Sequence, residues 1–193
     1  MHTCPSILGR FRFPTDTTEV RRPLGASPEN TEIQNKTVLA FLRSAARVFE
    51  SELGIDVQLT GEEMRQDSVT TEDISVFLRV SGQIKGSIYF GMDRAVALEL
   101  LTIERRHPAS GIGAKSITNW NRLVGRIGGH VQCEFADAGY SVGISSASTI
   151  RPIGMKIARF SAFHIVANLD IEKDPITAHM SLRRSTSEGV LAA

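Results

Sequence analysis

The chain has 193 residues, of which 41% are hydrophobic and 22% are charged, and its formal net charge is +1. This ordinary globular composition is long enough for one domain whose core needs no disulfide or metal. The small net charge gives no electrostatic basis for binding nucleic acid or an anionic membrane, and the sequence has no apolar run of about 18 residues that could span a bilayer.

The N-terminal segment, residues 1–30, contains four prolines and shows no sustained hydrophobic period. We expect it to be a disordered or loosely attached extension. It lacks the long apolar stretch of a secretory signal, so a cytoplasmic location is the default expectation. Cys4 and Cys133 lie far apart and form neither a metal-type spacing nor a disulfide framework.

A folded domain is expected from residue 33 to residue 184. Its first helix, in "NKTVLAFLRSAARVFESELG", has apolar residues at three- and four-residue steps, and Gly54 suits its C-terminal cap. A strand is predicted from Ile55. The segment "ISVFLRVSGQIKGSIYFG" predicts two strands of a half-buried antiparallel sheet, and Asp93 is placed to cap the short helix in "DRAVALELLT".

The second half begins with a connecting loop, "ERRHPASGIGAK", and a helix from about Lys115 to Ala138. One strand each is then predicted in "YSVGISSASTI", "ARFSAFHIVANLDI" and "ITAHMSLRR", with a turn at Asp174–Pro175 and a frayed tail over 185–193. The order α-βββ-αα-βββ predicts an α+β fold in which helices cover one face of an antiparallel sheet.

The helix in "NWNRLVGRIGGHV" carries glycines at 125, 128 and 129, although each costs roughly 1 kcal/mol relative to alanine in a helix interior. At about 100° per residue, its core stripe comprises Ile117, Trp120, Val124, Ile127, Val131 and Phe135. Arg122 and Arg126 point away from that stripe. A third strip, small and polar, contains Thr118, Asn121, Gly125 and Gly128/Gly129. Packing inside the protein accounts for Gly128, whereas the strip as a whole suits close contact with another surface.

The element order and this helix resemble the CheX-like branch of the CheC/CheX/FliY family of chemotaxis phosphatases, which act on the phosphorylated response regulator CheY. The family helix carries Glu, two residues, Asn, three residues and Gly. Asn121 and Gly125, in "NRLVG", stand at the Asn and Gly positions, whereas Thr118 stands where the family has Glu. The resemblance extends through "GQIKGSIYFGM" to "MSLRR", although the proline common in the family near Ala147 is missing.

The resemblance implies that the helix docks against a phosphorylated CheY-like receiver domain, with Asn121 orienting a water toward the aspartyl phosphate. Gly125, Arg122 and Gly129 are the implied partner-binding residues. The chain would need no cofactor of its own, because Mg²⁺ comes from the receiver. By position, the resemblance makes Thr118 the second catalytic-site residue beside Asn121. Thr118 cannot supply the carboxylate that pairs with the receiver's lysine, so turnover would be slow, absent or dependent on another acid, for which Glu104 is a candidate.

Three functions stay open from the sequence: an aspartyl-phosphate phosphatase, a catalytically inactive binding or scaffold domain in signal transduction, and a ligand- or scaffold-binding regulator that uses the strands. Relatives with one signature helix are commonly homodimers, which the resemblance implies here too. Arg159–Ala167 and Ile176–Leu182 are the candidate edge strands for such an interface.

Other motifs do not predict an active site. "GIGAKS" lacks the first glycine of a phosphate-binding loop and has alanine before Lys115. The five histidines show no paired ligand spacing, so a zinc site is not expected. Ser145 and Ser146 lie in no Gly-x-Ser-x-Gly sequence, and nothing indicates a hydrolase triad.

Overall fold

A computed structural model describes residues 28–105, 108–109, 111–150, 154–157, 164–171 and 174–185. Its elements, in chain order, are α1 (Pro28–Leu53), β1 (Val57–Arg65), β2 (Val69–Thr70), β3 (Ile74–Gly82), β4 (Ile84–Met92), α2 (Arg94–Arg105), α3 (Ala114–Asp137), β5 (Val142–Ile144), β6 (Ser148–Ile150), β7 (Lys156–Ile157), β8 (His164–Ile171) and β9 (Asp174–Arg184). The predicted α+β class is confirmed. The predicted order lacked three of the described strands. Two of them, β2 and β7, form an additional two-stranded sheet, and the third arises because the strand predicted after α3 is split into β5 and β6.

Helix α1 is longer than the apolar pattern predicts. It begins at Pro28, so residues 28–30 belong to the helix and not to the N-terminal extension, whose remaining residues, like the tail over 186–193, lie outside the described residues. The helix ends before Gly54, whose φ of 71° is the left-handed conformation favoured at helix C-termini. Strand β1 then begins at Val57, two residues after the predicted start.

The hairpin β3–β4 is where local sequence predicts the structure best. Val76, Leu78 and Val80 are buried, and Arg79 and Ser81 are exposed, as the alternation predicts for an antiparallel sheet with one covered face. The strands join through Gln83, and Gly82 has a φ of 104°. A side chain on Gly82 would collide with the Ser141 carbonyl, so the turn needs glycine there.

The main sheet has the strand order β1-β8-β9-β4-β3-β5, and β6 also pairs with β3. The prediction that Arg159–Ala167 and Ile176–Leu182 form edge strands is wrong for the residues described, because β8 lies between β1 and β9, and β9 lies between β8 and β4. Residues 158–163 of the first segment lie outside the described ranges. The predicted turn at Asp174–Pro175 is also wrong, because both residues pair with β8 as the first residues of β9.

All three helices belong to the layer that packs on one face of the sheet. Phe41 of α1 contacts Phe90 of β4, with ring centroids 4.7 Å apart, and both side chains are buried. Helix α3 packs against α1 on one side and against β3, β5 and β6 on the other. Asp93 caps α2 as predicted, accepting a hydrogen bond from the Val96 N–H at 2.8 Å. This layer fixes α3 along the end of the sheet formed by β3, β5 and β6.

The segment "YSVGISSASTI" forms two short strands and not the single strand predicted. Ile144 pairs with Val80 and Ser148 pairs with Phe77, so three residues, 145–147, lie opposite two residues of β3. The segment therefore bulges at the sheet edge. Ser145 anchors the bulge, because its N–H donates to the Arg79 carbonyl and its Oγ accepts from the Arg79 N–H, each at 2.9 Å.

Candidate functional site

Helix α3 presents three different surfaces along its length. Five of the six predicted core residues are buried, and Ile117 is half-buried. Arg122 and Arg126 are exposed, and both form ion pairs with Glu52 of α1. The third surface faces a groove of about 540 Å³. Its lining residues are Thr118, Asn121, Arg122, Gly125, Gly128, Gly129 and Gln132 of α3, together with Ile144, Ser145, Ser146 and Ala147. We call this the α3 groove.

The α3 groove brings together all the site residues predicted from the sequence: Thr118, Asn121, Arg122, Gly125 and Gly129. Their roles remain predictions. Gln132 and the wall formed by Ile144–Ala147 were not predicted as site residues from the sequence. The position of the wall depends on the pairing of β5 and β6 with β3, and this pairing with a distant strand has no local sequence signal.

The three glycines of α3 have different surroundings. A methyl group at Gly128 would lie 3.1 Å from Ile144 Cγ2 and 3.4 Å from Leu78 Cδ1, so this glycine allows the helix to approach the sheet. A methyl group at Gly125 or Gly129 would meet nothing within 4 Å. Packing within the described residues therefore accounts for Gly128 and leaves Gly125 and Gly129 unexplained.

Asn121 lies at the side of the groove and is half-buried, not fully exposed as a docking surface alone predicts. Thr149 of β6 donates a hydrogen bond from Oγ1 to Asn121 Oδ1 at 2.7 Å. Thr118, one turn earlier, is exposed and donates from Oγ1 to the Ala114 carbonyl of its own helix at 3.1 Å. The groove thus contains the Asn121 amide, held in one orientation by Thr149, and the Thr118 hydroxyl, which is already hydrogen-bonded within α3.

Glu104 does not replace the carboxylate that Thr118 lacks. It lies at the end of α2, not in a loop, and is absent from the groove lining. Asn119 donates from Nδ2 to Glu104 Oε2 at 2.7 Å, and Arg122 pairs with the other carboxylate oxygen. Arg122 is also paired with Glu52, at 3.7 Å, so its charge is largely compensated and it connects α3 to both neighbouring helices.

The opposite face of the sheet holds a second polar cluster. Thr177 donates a hydrogen bond to Glu72, whose pKa is raised chiefly by burial. Burial lowers the pKa of His179 to about 4, and His164, 5.9 Å away between ring centroids, acts in the same direction. His179 is therefore neutral near neutral pH. Within the described ranges, no group of three histidine, cysteine or acidic residues is arranged to hold a metal ion.

The helices of the described residues are each too short or too polar to span a membrane. No family model matches the chain, and no curated protein matches it. Solved structures do match. A CheC-like superfamily protein from Shewanella sp. PV-4 is 16% identical, with a TM-score of 0.69 over 77% of this chain and 97% of that chain. Chemotaxis protein CheX from Vibrio vulnificus is 15% identical, with a TM-score of 0.69 over 77% and 99%.

The CheX–CheY–BeF3–Mg²⁺ complex from Borrelia burgdorferi also matches, at 17% identity and a TM-score of 0.63 over 77% of this chain and 98% of that chain. These likenesses confirm the resemblance inferred from the sequence at the level of the fold. The chain has the fold of the CheC-like and CheX proteins over nearly their whole length.

Alanine substitutions at Gly125, Gly128 and Gly129 test whether the space beside each glycine is open or filled. Gly125→Ala and Gly129→Ala should each raise the free energy of unfolding, by up to about 1 kcal/mol, because alanine favours the helix and its methyl group meets open space. Gly128→Ala should gain less or lose stability, because overpacking typically costs about 1–3 kcal/mol. Urea denaturation of the three variants measures this order, and a Gly125→Ala protein less stable than Gly128→Ala would contradict it.

Proposed function

We propose that this chain is a CheX-like member of the CheC/CheX/FliY family, acting in the cytoplasm on a phosphorylated CheY-like receiver domain through the α3 groove. The observation that carries the proposal is the pair Gly125 and Gly129, which keep one flank of α3 bare beside the Asn121 amide. These two glycines lower helix stability and have no packing role among the described residues, and the close approach of another backbone would explain them.

The chemistry of the groove fits a partner that brings its own phosphate and metal. The described lining residues include two amides, several hydroxyls and one guanidinium but no carboxylate. Mg²⁺ prefers carboxylate and other oxygen ligands, so these residues do not fit a resident Mg²⁺ site. We therefore assign Mg²⁺ to the receiver domain, as the composition of the Borrelia complex suggests.

Asn121 is the residue that we assign to catalysis. An amide both donates and accepts hydrogen bonds and does not titrate, so it can hold a water in line with an aspartyl phosphate. Phosphoryl transfer depends on positioning and charge stabilisation more than on covalent help. Thr118 supplies no charge, and we expect turnover below that of a site with the family's glutamate.

A catalytically inactive binding or scaffold domain in signal transduction is the second candidate. It is favoured by Thr118, whose hydroxyl donates to the Ala114 carbonyl, and by Glu104, whose two carboxylate oxygens are held by Asn119 and Arg122. This candidate keeps the docking surface and loses hydrolysis. It predicts binding to the receiver without a change in phosphate release.

Asn121 variants separate the two candidates. Phosphorylated receiver domains from the organism that encodes the chain would be assayed for phosphate release with Mg²⁺, with and without the full chain. Asn121→Ala should lower stimulated release roughly a hundredfold or more, as removal of one preorganised donor does in other sites. Its stability should fall by about 1 kcal/mol, because the hydrogen bond from Thr149 is lost.

Asn121→Asp is the matched control for this experiment. Its carboxylate still accepts from Thr149, so stability should be kept, whereas the amide donor and therefore the activity are lost. Binding to the receiver loaded with beryllofluoride and Mg²⁺ is measured in parallel. Binding without stimulated release selects the inactive domain, and neither binding nor release by any receiver tested contradicts the proposed function.

Thr118→Glu should raise phosphatase activity. It restores a carboxylate one turn from Asn121, at an exposed position, where a charge-assisted contact contributes about 1.5–3 kcal/mol, roughly a ten- to hundredfold change. Initial rates of phosphate release at fixed receiver concentration measure the effect, with Thr118→Gln as the uncharged control. Equal rates for both variants would show that the missing carboxylate does not limit turnover.

We also propose that the chain forms a homodimer, through β1 and not through the strands expected from the sequence. Among the described strands β1 pairs only with β8, which leaves its outer edge available for strand addition. Light scattering of the full chain at micromolar concentration should give twice the monomer mass. A monomer mass throughout that range would contradict this proposal and leave the α3 groove unaffected.

A further inference from the structure

We infer that Thr149 is a positioning residue that fixes the orientation of the Asn121 amide, so that the groove is offered the amide nitrogen and not the oxygen. The effect on turnover rests on the proposed function. The fixed amide itself is a property of the free chain and is testable without any partner.

The strand register directs Thr149 toward α3. Thr149 lies opposite Val76 of β3, whose side chain is fully buried beneath the helices. Side chains paired across an antiparallel sheet project to the same face, so Thr149 projects to the helix side. Its neighbour Ser148 projects to the other face and is exposed. A threonine in this register is placed against the helix by the backbone alone.

The hydrogen bond is formed with one of the two orientations of the amide. Thr149 Oγ1 donates to Asn121 Oδ1 at 2.7 Å, a normal length for a hydroxyl donor. Nδ2 then points the other way and has no hydrogen-bond partner among the described residues. Because Nδ2 has no such partner and yet is not one of the buried unpaired polar atoms, it is not fully buried. The amide therefore presents its two N–H groups to the groove. They can donate to a hydrogen-bond acceptor such as a phosphoryl oxygen or the oxygen of a water molecule.

Strand pairing on both sides of the bulge holds Thr149 in register opposite Val76. The pairs Val80–Ile144 and Phe77–Ser148 fix the strands on either side of residues 145–147. The reciprocal hydrogen bonds between Ser145 and Arg79 close the bulge itself. In addition, a β-branched side chain has few χ1 rotamers. Thr149 is thus a rigid donor, and the Asn121 side chain is the part that it orders.

The first test uses the ¹⁵N spectrum of the full-length protein without a partner. The Asn121 side-chain NH₂ signals are identified by their loss in Asn121→Ala. Thr149→Val, which keeps the shape and removes the hydroxyl, should shift these signals and speed their exchange with water. Thr149→Ser should restore them, and Ser148→Ala, the matched control on the exposed face, should leave them unchanged.

The second test measures turnover with a receiver that the wild-type chain dephosphorylates. Thr149→Val should lower kcat roughly tenfold, about the contribution of one neutral hydrogen bond, with little change in KM. Thr149→Ser should recover most of it. In the Asn121→Ala background, Thr149→Val should cause no further loss of kcat, because Thr149 acts through Asn121.

The outcomes separate the two proposals. Asn121 signals that are the same in wild type and Thr149→Val overturn the positioning role, whatever the activity. A Thr149→Ser protein as impaired as Thr149→Val also overturns it. Perturbed signals in a chain that acts on no receiver support the positioning role and count against the proposed function. If Thr149→Val does not fold by circular dichroism, Thr149→Ala provides the same comparison with a smaller side chain.

Discussion

The close approach of α3 to the sheet at Gly128 is the constraint on which the rest of the site depends. The Ile144 and Leu78 side chains occupy the space that a larger residue at 128 would need. This approach brings the first half of the helix beside β6, where Asn121 meets Thr149. A helix held farther away by a side chain would lose that hydrogen bond and open the groove. Gly128 is thus a structural residue with a direct effect on the shape of the α3 groove.

The three sides of α3 have different contacts. The core stripe, with Trp120 and Ile127 buried, attaches the helix to the domain. The arginine side pairs with Glu52 of α1 and Glu104 of α2. These exposed ion pairs contribute little to stability individually. The flank with Gly125 and Gly129 is left uncovered by the described residues, and it keeps a defined orientation because the other two sides of the helix are occupied.

Local patterns predicted the parts of the fold that depend on neighbouring residues. The alternation of Val76, Leu78 and Val80, the Asp93 cap and the core stripe of α3 each have a period or spacing of their own. The order of strands in the sheet has none, because β9 inserts between β8 and β4 through contacts distant in sequence. The edge strands were therefore predicted wrongly. The hydrogen bond of Thr149 to Asn121 was missed for the same reason, since it needs the register of β6 on β3.

The bulge at residues 145–147 separates the number of residues in this segment from the direction of the side chains that follow it. In a continuous strand, adding or removing one residue turns every following side chain to the opposite face. Here the extra residue is contained between two paired segments, so Thr149 keeps the direction that its pairing with Val76 gives it. If the groove binds a receiver domain as proposed, substitutions at Ser146 and Ala147 in its wall can alter contacts with the partner and leave the amide opposite in place. On that proposal, the preference for a partner and the catalytic amide can change independently of each other.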